Sequence, residues 1–363
     1  MVCAQVPTTH SGYGTRNWTL AAALAMVSDL TIVVVGGDGS EPTLALLGQR
    51  TVPLVDVAQA ELLSYLRLLS PGLVVASETA LAPMVMACGV PVAISTHNVE
   101  SVLASDIAAL TSGAEQVSAL RRVKTNRIIE RSVFPLASQV WSVSNADADV
   151  VTEMISRVDT QTKVAVVPNV VADPDPIRQR CPEVGLGVFF GSLWWEPNRE
   201  AVASLVAVSE RLRDRGVAHR FDIAGAGAPP VLVALVEQSG NVNLVGFVPN
   251  LCSFLDRAAC AVLPVTSGGG SMIKLLDALR NGCPVLTTPA GARGLPELRD
   301  GVHAIIRPLG PAFDDACAEM LTSPARFATM GLNGRELIAS HYSQSVLNRI
   351  VDGLIRDISP VKP

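Results

Sequence analysis

At 363 residues the chain is long for one domain and comfortable for two. An apolar fraction of 49% and a mean hydropathy of +0.37 call for large buried cores. No apolar run approaches the roughly 18 residues that a membrane span needs, and a net charge of −5 without a long basic run argues against a nucleic-acid partner. The 7 cysteines are odd in number, widely spaced and without a CxxC pair, and the 5 histidines are dispersed. Neither a disulfide frame nor a zinc site is therefore expected, and the chain reads as metal-independent and cytoplasmic. Its first residues lack a basic stretch followed by an apolar one, so no signal peptide is expected.

The chain opens with a short apolar strand, residues 1–6, and a polar glycine loop running from Thr8 to Arg16. A helix is predicted from Asn17 to about Met26, with Leu20, Ala23 and Leu24 on its buried side. Strands at 30–35, 73–76, 90–94, 139–143 and 163–167 alternate with helices at 58–69, 80–88, 114–132 and 145–155. Strands that are apolar throughout, alternating with helices, mark a parallel sheet covered on both faces. The pattern breaks between Asp173 and Pro182, where prolines and charges predict an interdomain linker. Alternation resumes at 187–190 and continues with strands at 220–224, 242–245, 261–264, 285–288 and 304–306. The tail from Asp314 to Ile358 reads as helical. The expected architecture is α/β, with two Rossmann-like, doubly wound domains facing across a cleft. The boundaries are 1–172, a linker at 173–182, a second domain at 183–344, and a C-terminal helix, 345–363, returning to the first domain.

Ligands in such sheets bind at the carboxyl ends of the strands. The stretch from Val262 to Gly294 is the most informative. Its strand leads into Ser267, the three glycines Gly268, Gly269 and Gly270, and Ser271, before a helix whose apolar residues include Ile273, Leu275, Leu276 and Leu279. A helix N-terminus after a glycine loop points unpaired N–H groups and a positive dipole end at one spot, which suits a phosphate. Lys274 adds a full charge there, and Asp277, three residues on, can accept hydrogen bonds from sugar hydroxyls. The competing reading is a surface turn with two solvated charges. Three consecutive glycines cost backbone entropy, which favours the functional reading.

Other strand ends carry further candidates. Ser11-Gly12-Tyr13-Gly14 follows the first strand but is not the GxGxxG fingerprint, and no acidic residue ends the next strand at ribose spacing. That weakens a nicotinamide enzyme. His97 and Asn98 follow another strand, a position that raises the odds of function for an otherwise isolated histidine. Gly191-Ser192 allows close backbone approach, Trp194 and Trp195 read as packing between domains, and Gly225-Ala226-Gly227 is a tight turn.

The ordered set of motifs resembles the GT-B glycosyltransferases of family 4 (group 1), retaining enzymes that use nucleotide-sugar donors. It comprises Gly12 to Arg16, His97-Asn98-Val99-Glu100, Val143-Ser144-Asn145-Ala146-Asp147 and Val167-Pro168-Asn169. It continues with Gly191-Ser192-Leu193, Pro197-Asn198, Ile223 to Gly227, Leu244 to Pro249 and Asn281-Gly282-Cys283-Pro284. In that family a Glu-x7-Glu pattern brackets the donor. Here the second position is Asp277, implied to bind ribose, while the first falls at Gly269. The Arg and Lys that many members carry after the first strand of the nucleotide domain are also absent. Both departures resemble a branch with a glycine loop followed by a lysine.

The resemblance implies catalytic roles for His97, facing the transferred sugar, and Lys274. It implies donor contacts from Gly12, Gly14, Gly191, Ser192, Gly268, Gly269, Gly270, Ser271 and Asp277, with Phe247 and Val248 presenting backbone to the base. Arg16 and Asn98 are implied on the acceptor side. The expected partners are a nucleotide-sugar donor, UDP in preference to GDP, and a hydroxyl acceptor that is a glycan, a lipid-linked sugar or a small molecule. No cofactor and no nucleic acid are expected, and peripheral contact with a membrane stays open. A diphosphate leaving group can be stabilised by helix-terminus amides and Lys274 in place of a metal. Front-face attack needs no general base, and closure of the two halves would exclude water. Two alternatives remain at this stage: a nucleotide-sugar epimerase of the same architecture, or a noncatalytic nucleotide-sugar-binding partner of a transferase.

Overall fold

The computed structural model describes every residue except 9–11, 37–42, 48–49, 177–179, 267–271 and 359–363, and the side chains of 43–46 and 110. The chain divides into two compact units, Met1–Val170 with Gln344–Pro363, and Val171–Ser343. Both are Rossmann-like parallel sheets covered by helices, as the apolar strands require.

The first unit holds β1 (Val2–Cys3), β2 (Ile32–Val35), β3 (Thr43–Leu47), β4 (Arg50–Val57), β5 (Val74–Ala76), β6 (Val92–Ser95), β7 (Gln139–Ser142) and β8 (Lys163–Val166). Their order is β3-β4-β2-β1-β5-β6-β7-β8, and only β3 runs antiparallel, against β4. Successive residues point to opposite faces, so Val2 and Val33 enter one core while Cys3, Ile32 and Val34 enter the other. The C-terminal helix Gln344–Ile358 packs on the second core through Leu347 and Val351, and the Gln344 amide donates to the Thr19 carbonyl at 3.0 Å. Helix Asn145–Ile155 starts where Ser144 caps it, its Oγ accepting from the Asp147 N–H at 3.2 Å.

The second unit holds β9 (Leu186–Phe190), β10 (Arg220–Ala224), β11 (Val242–Gly246), β12 (Cys260–Leu263), β13 (Val285–Thr287) and β14 (Ile305–Ile306). Their order, β11-β10-β9-β12-β13-β14, is parallel throughout. Chain order reverses between β9 and β12, which makes their carboxyl ends the switch point where such sheets bind ligands. In the first unit the reversal lies between β1 and β5.

The structure departs from the sequence reading in places. The first helix starts at Gly12 and not at Asn17, so Gly12, Gly14 and Arg16 lie in its opening turns. The first turn makes few intrahelical bonds, so glycine is tolerated there. The β3–β4 hairpin is not legible, since Pro53 interrupts the strand signal. Helix Glu100–Leu110 also escapes the reading. Part of the expected linker is anchored within the second unit. Arg180 donates to the Leu255 and Ala258 carbonyls at 2.7 and 2.6 Å, and Arg280 pairs with Asp175 at 3.3 Å. All seven cysteines are free, and among the described residues no helix is long and apolar enough to cross a membrane.

Candidate active site

In the second unit the carboxyl ends of β9 and β10 are drawn together by glycines. The Gly191 N–H donates to the Ala224 carbonyl at 3.0 Å, and the Leu193 N–H to the Ala226 carbonyl at 2.9 Å. Gly225 has φ +156°, and a Cβ there would lie 2.0 Å from the Gly191 oxygen, so this approach demands glycine. On the other side of β9, helix Ile273–Arg280 follows β12 and brings Lys274 to the switch point. The Lys274 ammonium donates to Asn198 Oδ1 and lies 4.5 Å from the centroid of the buried Phe189 ring. The Asn198 amide in turn donates to the Ser192 carbonyl at 2.8 Å. Burial lowers the Lys274 pKa to about 7, which makes the ammonium a poorly solvated charge.

Asp277 lies one turn further along the same helix, partly exposed. Burial raises its pKa to about 6 against the lowering pull of Arg280. Among the described residues no side chain bonds its carboxylate, which leaves two acceptor oxygens for hydroxyl donors. Phe247 follows β11 and is 64% exposed, whereas Val248 packs on the core. Gly268, Gly269, Gly270 and Ser271, the expected phosphate amides, lie outside the described residues.

The first unit gathers a second cluster where β1, β5 and β6 end. The Tyr13 and His97 rings stack with centroids 4.6 Å apart and planes 9° apart. The Tyr13 hydroxyl donates to Glu78 Oε1 at 2.9 Å. Burial, with Arg16 nearby, lowers the His97 pKa to about 3, so the ring is neutral at working pH. A Ser77 backbone hydrogen bond opposes that shift, and Nε2 is buried without a partner among the described residues. An unpartnered ring nitrogen of this kind can accept a hydroxyl hydrogen; it cannot act as a proton donor at neutral pH. Burial also raises the Glu78 and Glu100 pKa values. The Asn98 amide donates to Glu100 Oε1 at 3.3 Å.

Arg16, expected on the acceptor side, is held inside the first unit. It is 3% exposed, and its terminal nitrogens donate to Ser95 Oγ, the Val167 carbonyl and Asn169 Oδ1, each at 3.1 Å. These bonds tie the ends of β6 and β8 together inside the unit. Gly14 is buried in the same helix, and Gly12 begins it. Trp194 and Trp195 meet edge to face, 61% and 42% exposed.

Three contributors were missed by sequence reasoning. Glu78 directly follows β5, so the strand-end criterion would have found it. Tyr13 was legible only as part of a glycine loop. Asn198 carried the weakest signal, because its Pro197-Asn198 pair also fits an ordinary helix start.

Solved structures share this architecture over nearly the whole chain. Sucrose-phosphate synthase from Thermosynechococcus elongatus matches at 14% identity and TM-score 0.73, covering 98% of each chain. The α,α-trehalose 6-phosphate synthase of Burkholderia multivorans matches at 11% identity and TM-score 0.69, again covering 98% of each. Anabaena HepE in complex with UDP and glucose matches at 13% identity and TM-score 0.68, also covering 98% of each. No curated protein matches the sequence. The architecture is that of the GT-B glycosyltransferases. Residues 186–323, most of the second unit, match the family model described as Glycosyl transferases group 1. The second unit therefore carries a glycosyl transferases group 1 domain.

Proposed function

We propose that the chain moves a sugar from a nucleoside diphosphate sugar, UDP in preference to GDP, to a hydroxyl acceptor, with retention of anomeric configuration and without metal or other cofactor. The observation that carries this reading is the Lys274 ammonium, held at the carboxyl ends of β9 and β12 beside Gly191. A cation fixed in a partly buried site stabilises charge developing on a departing diphosphate more than the same cation in water would. Asp277, one turn on, accepts from the ribose hydroxyls. The bond from the anomeric carbon to the β-phosphate oxygen breaks while the acceptor oxygen bonds to that carbon from the same face. The acceptor's proton passes to the leaving phosphate. His97 Nε2 accepts a hydrogen bond from a sugar hydroxyl and takes no part in proton transfer.

UDP is favoured because Anabaena HepE is a complex with UDP and glucose. The free cysteines agree with a reducing compartment such as the cytoplasm.

The test combines a thermal-shift panel of UDP, GDP and their sugars with an acceptor screen in the presence of a chelator. Product anomers are assigned by NMR. The expected outcome is stabilisation by UDP above GDP, transfer that survives chelation, and a product with the donor's anomeric configuration. An inverted product, or turnover lost on chelation and restored by a divalent cation, would overturn the corresponding part of the reading.

A further inference from the structure

Among the described residues, the Lys274 ammonium is held by one side chain, whose orientation is fixed from behind. Asn198 is 7% exposed, in the first turn of helix Glu196–Asp214. Because its Nδ2 donates to the Ser192 carbonyl at 2.8 Å, the amide cannot flip, and Oδ1 is the atom that faces Lys274. Residue 191 makes room for this arrangement. A Cβ on Gly191 would lie 2.9 Å from Asn198 Nδ2 and 3.2 Å from Lys274 Nζ. Phe189 lies on another side of the ammonium, 4.5 Å from ring centroid to Nζ.

Among the described residues, no ion pair is formed by Lys274. Glu196 and Arg199, on the Asn198 helix, pair with each other, and Asp277 and Arg280 lie further along the Lys274 helix.

We propose that Asn198 is the positioning residue of Lys274, holding the ammonium at the end of β9 with a neutral oxygen so that its full charge remains available to the donor's diphosphate. A carboxylate at this position would reach the same atom but would form an ion pair and compete with the phosphate. An apolar side chain would leave the flexible lysine stem without a fixed direction. The proposal rests on the donor-site reading given above.

The experiment compares Asn198→Asp, Asn198→Ala and Lys274→Ala with the wild type by calorimetric titration of UDP and uridine from pH 6 to 9, with thermal melts as a check on folding. Aspartate is well tolerated in the first turn of a helix, where it faces the positive dipole end. Asn198→Asp should weaken UDP by about tenfold or more and leave uridine within about twofold. The alkaline fall in UDP affinity should move to higher pH, because the new carboxylate holds the lysine's proton. Asn198→Ala should weaken UDP by roughly three- to tenfold with uridine unchanged, and it decides the question if the Asp variant does not fold.

If Lys274→Ala binds UDP as the wild type does, the donor-site reading itself fails. If Lys274→Ala loses UDP while both Asn198 variants keep wild-type affinity and pH profile, only the positioning role is overturned. Equal losses of UDP and uridine would also overturn it, since they report a purely structural effect.

Discussion

Replacing Lys274 by methionine should make the protein more stable and a worse binder at the same time. Methionine keeps an unbranched stem against the Phe189 ring and removes the charge. Each step of one in pKa corresponds to about 1.4 kcal/mol, so the fall from 10.5 to about 7 means that charging this lysine is disfavoured by roughly 5 kcal/mol in the fold. The side chain is partly exposed, and water screening reduces the recoverable part to about 1–2 kcal/mol. For a unit of this size that is a rise in Tm of roughly 3–6 °C.

The sign depends on pH. A lysine with a depressed folded pKa costs stability in full below that pKa, and the cost disappears as pH rises to 10.5. The gain from methionine should therefore be largest below pH 7 and absent in strong alkali. In parallel, nucleoside diphosphate affinity should fall about 10- to 100-fold while nucleoside affinity stays unchanged. Thermal melts at pH 6 and 10 and calorimetric titrations measure both effects. A variant that melts below the wild type at pH 6 and keeps its diphosphate affinity would refute the assignment of Lys274 as a buried, functional charge.

Three further outcomes are expected. Asp277→Asn should weaken uridine and UDP alike, by about tenfold, in the same titrations, because both carry the ribose. Uridine affinity should rise as pH increases through about 6, where the Asp277 carboxyl ionises, while UDP affinity should fall above about 7, where Lys274 loses its proton; a flat uridine profile from pH 5 to 8 would remove Asp277 from the ribose. Arg16→Leu should destabilise the first unit by roughly 2–4 kcal/mol in denaturant unfolding, because it strips donors from the Val167 carbonyl, Ser95 and Asn169 at once; a silent substitution would refute its role in tying the strand ends.

The parallel sheets were legible because a strand buried on both faces must be apolar at every position, as in Leu186–Phe190 and Cys260–Leu263. The glycines at 191 and 225 were legible as punctuation after strands, and the switch point then gave them a place. What the sequence could not convey was the direction of polar side chains. Arg16 sits among motif residues, yet its guanidinium turns inward to hold strand ends. Asn198 sits in an unremarkable helix start, yet its amide reaches the one lysine of the site. Such roles depend on contacts between residues 76 or 151 positions apart, a separation that no local pattern encodes.

The chain passes from one unit to the other twice, at Val170–Val171 and at Ser343–Gln344. The two ends of the second unit lie side by side, joined by a bridge between Val171 and Ser343 and by a hydrogen bond of 3.0 Å from the Val171 N–H to the Tyr342 carbonyl. In topological terms the second unit is a cassette inserted into its host, its entry and exit lying side by side. Gene duplication or recombination could exchange such a cassette without altering the framework that receives it. In a chain of this layout, the properties of each unit can evolve as separable traits.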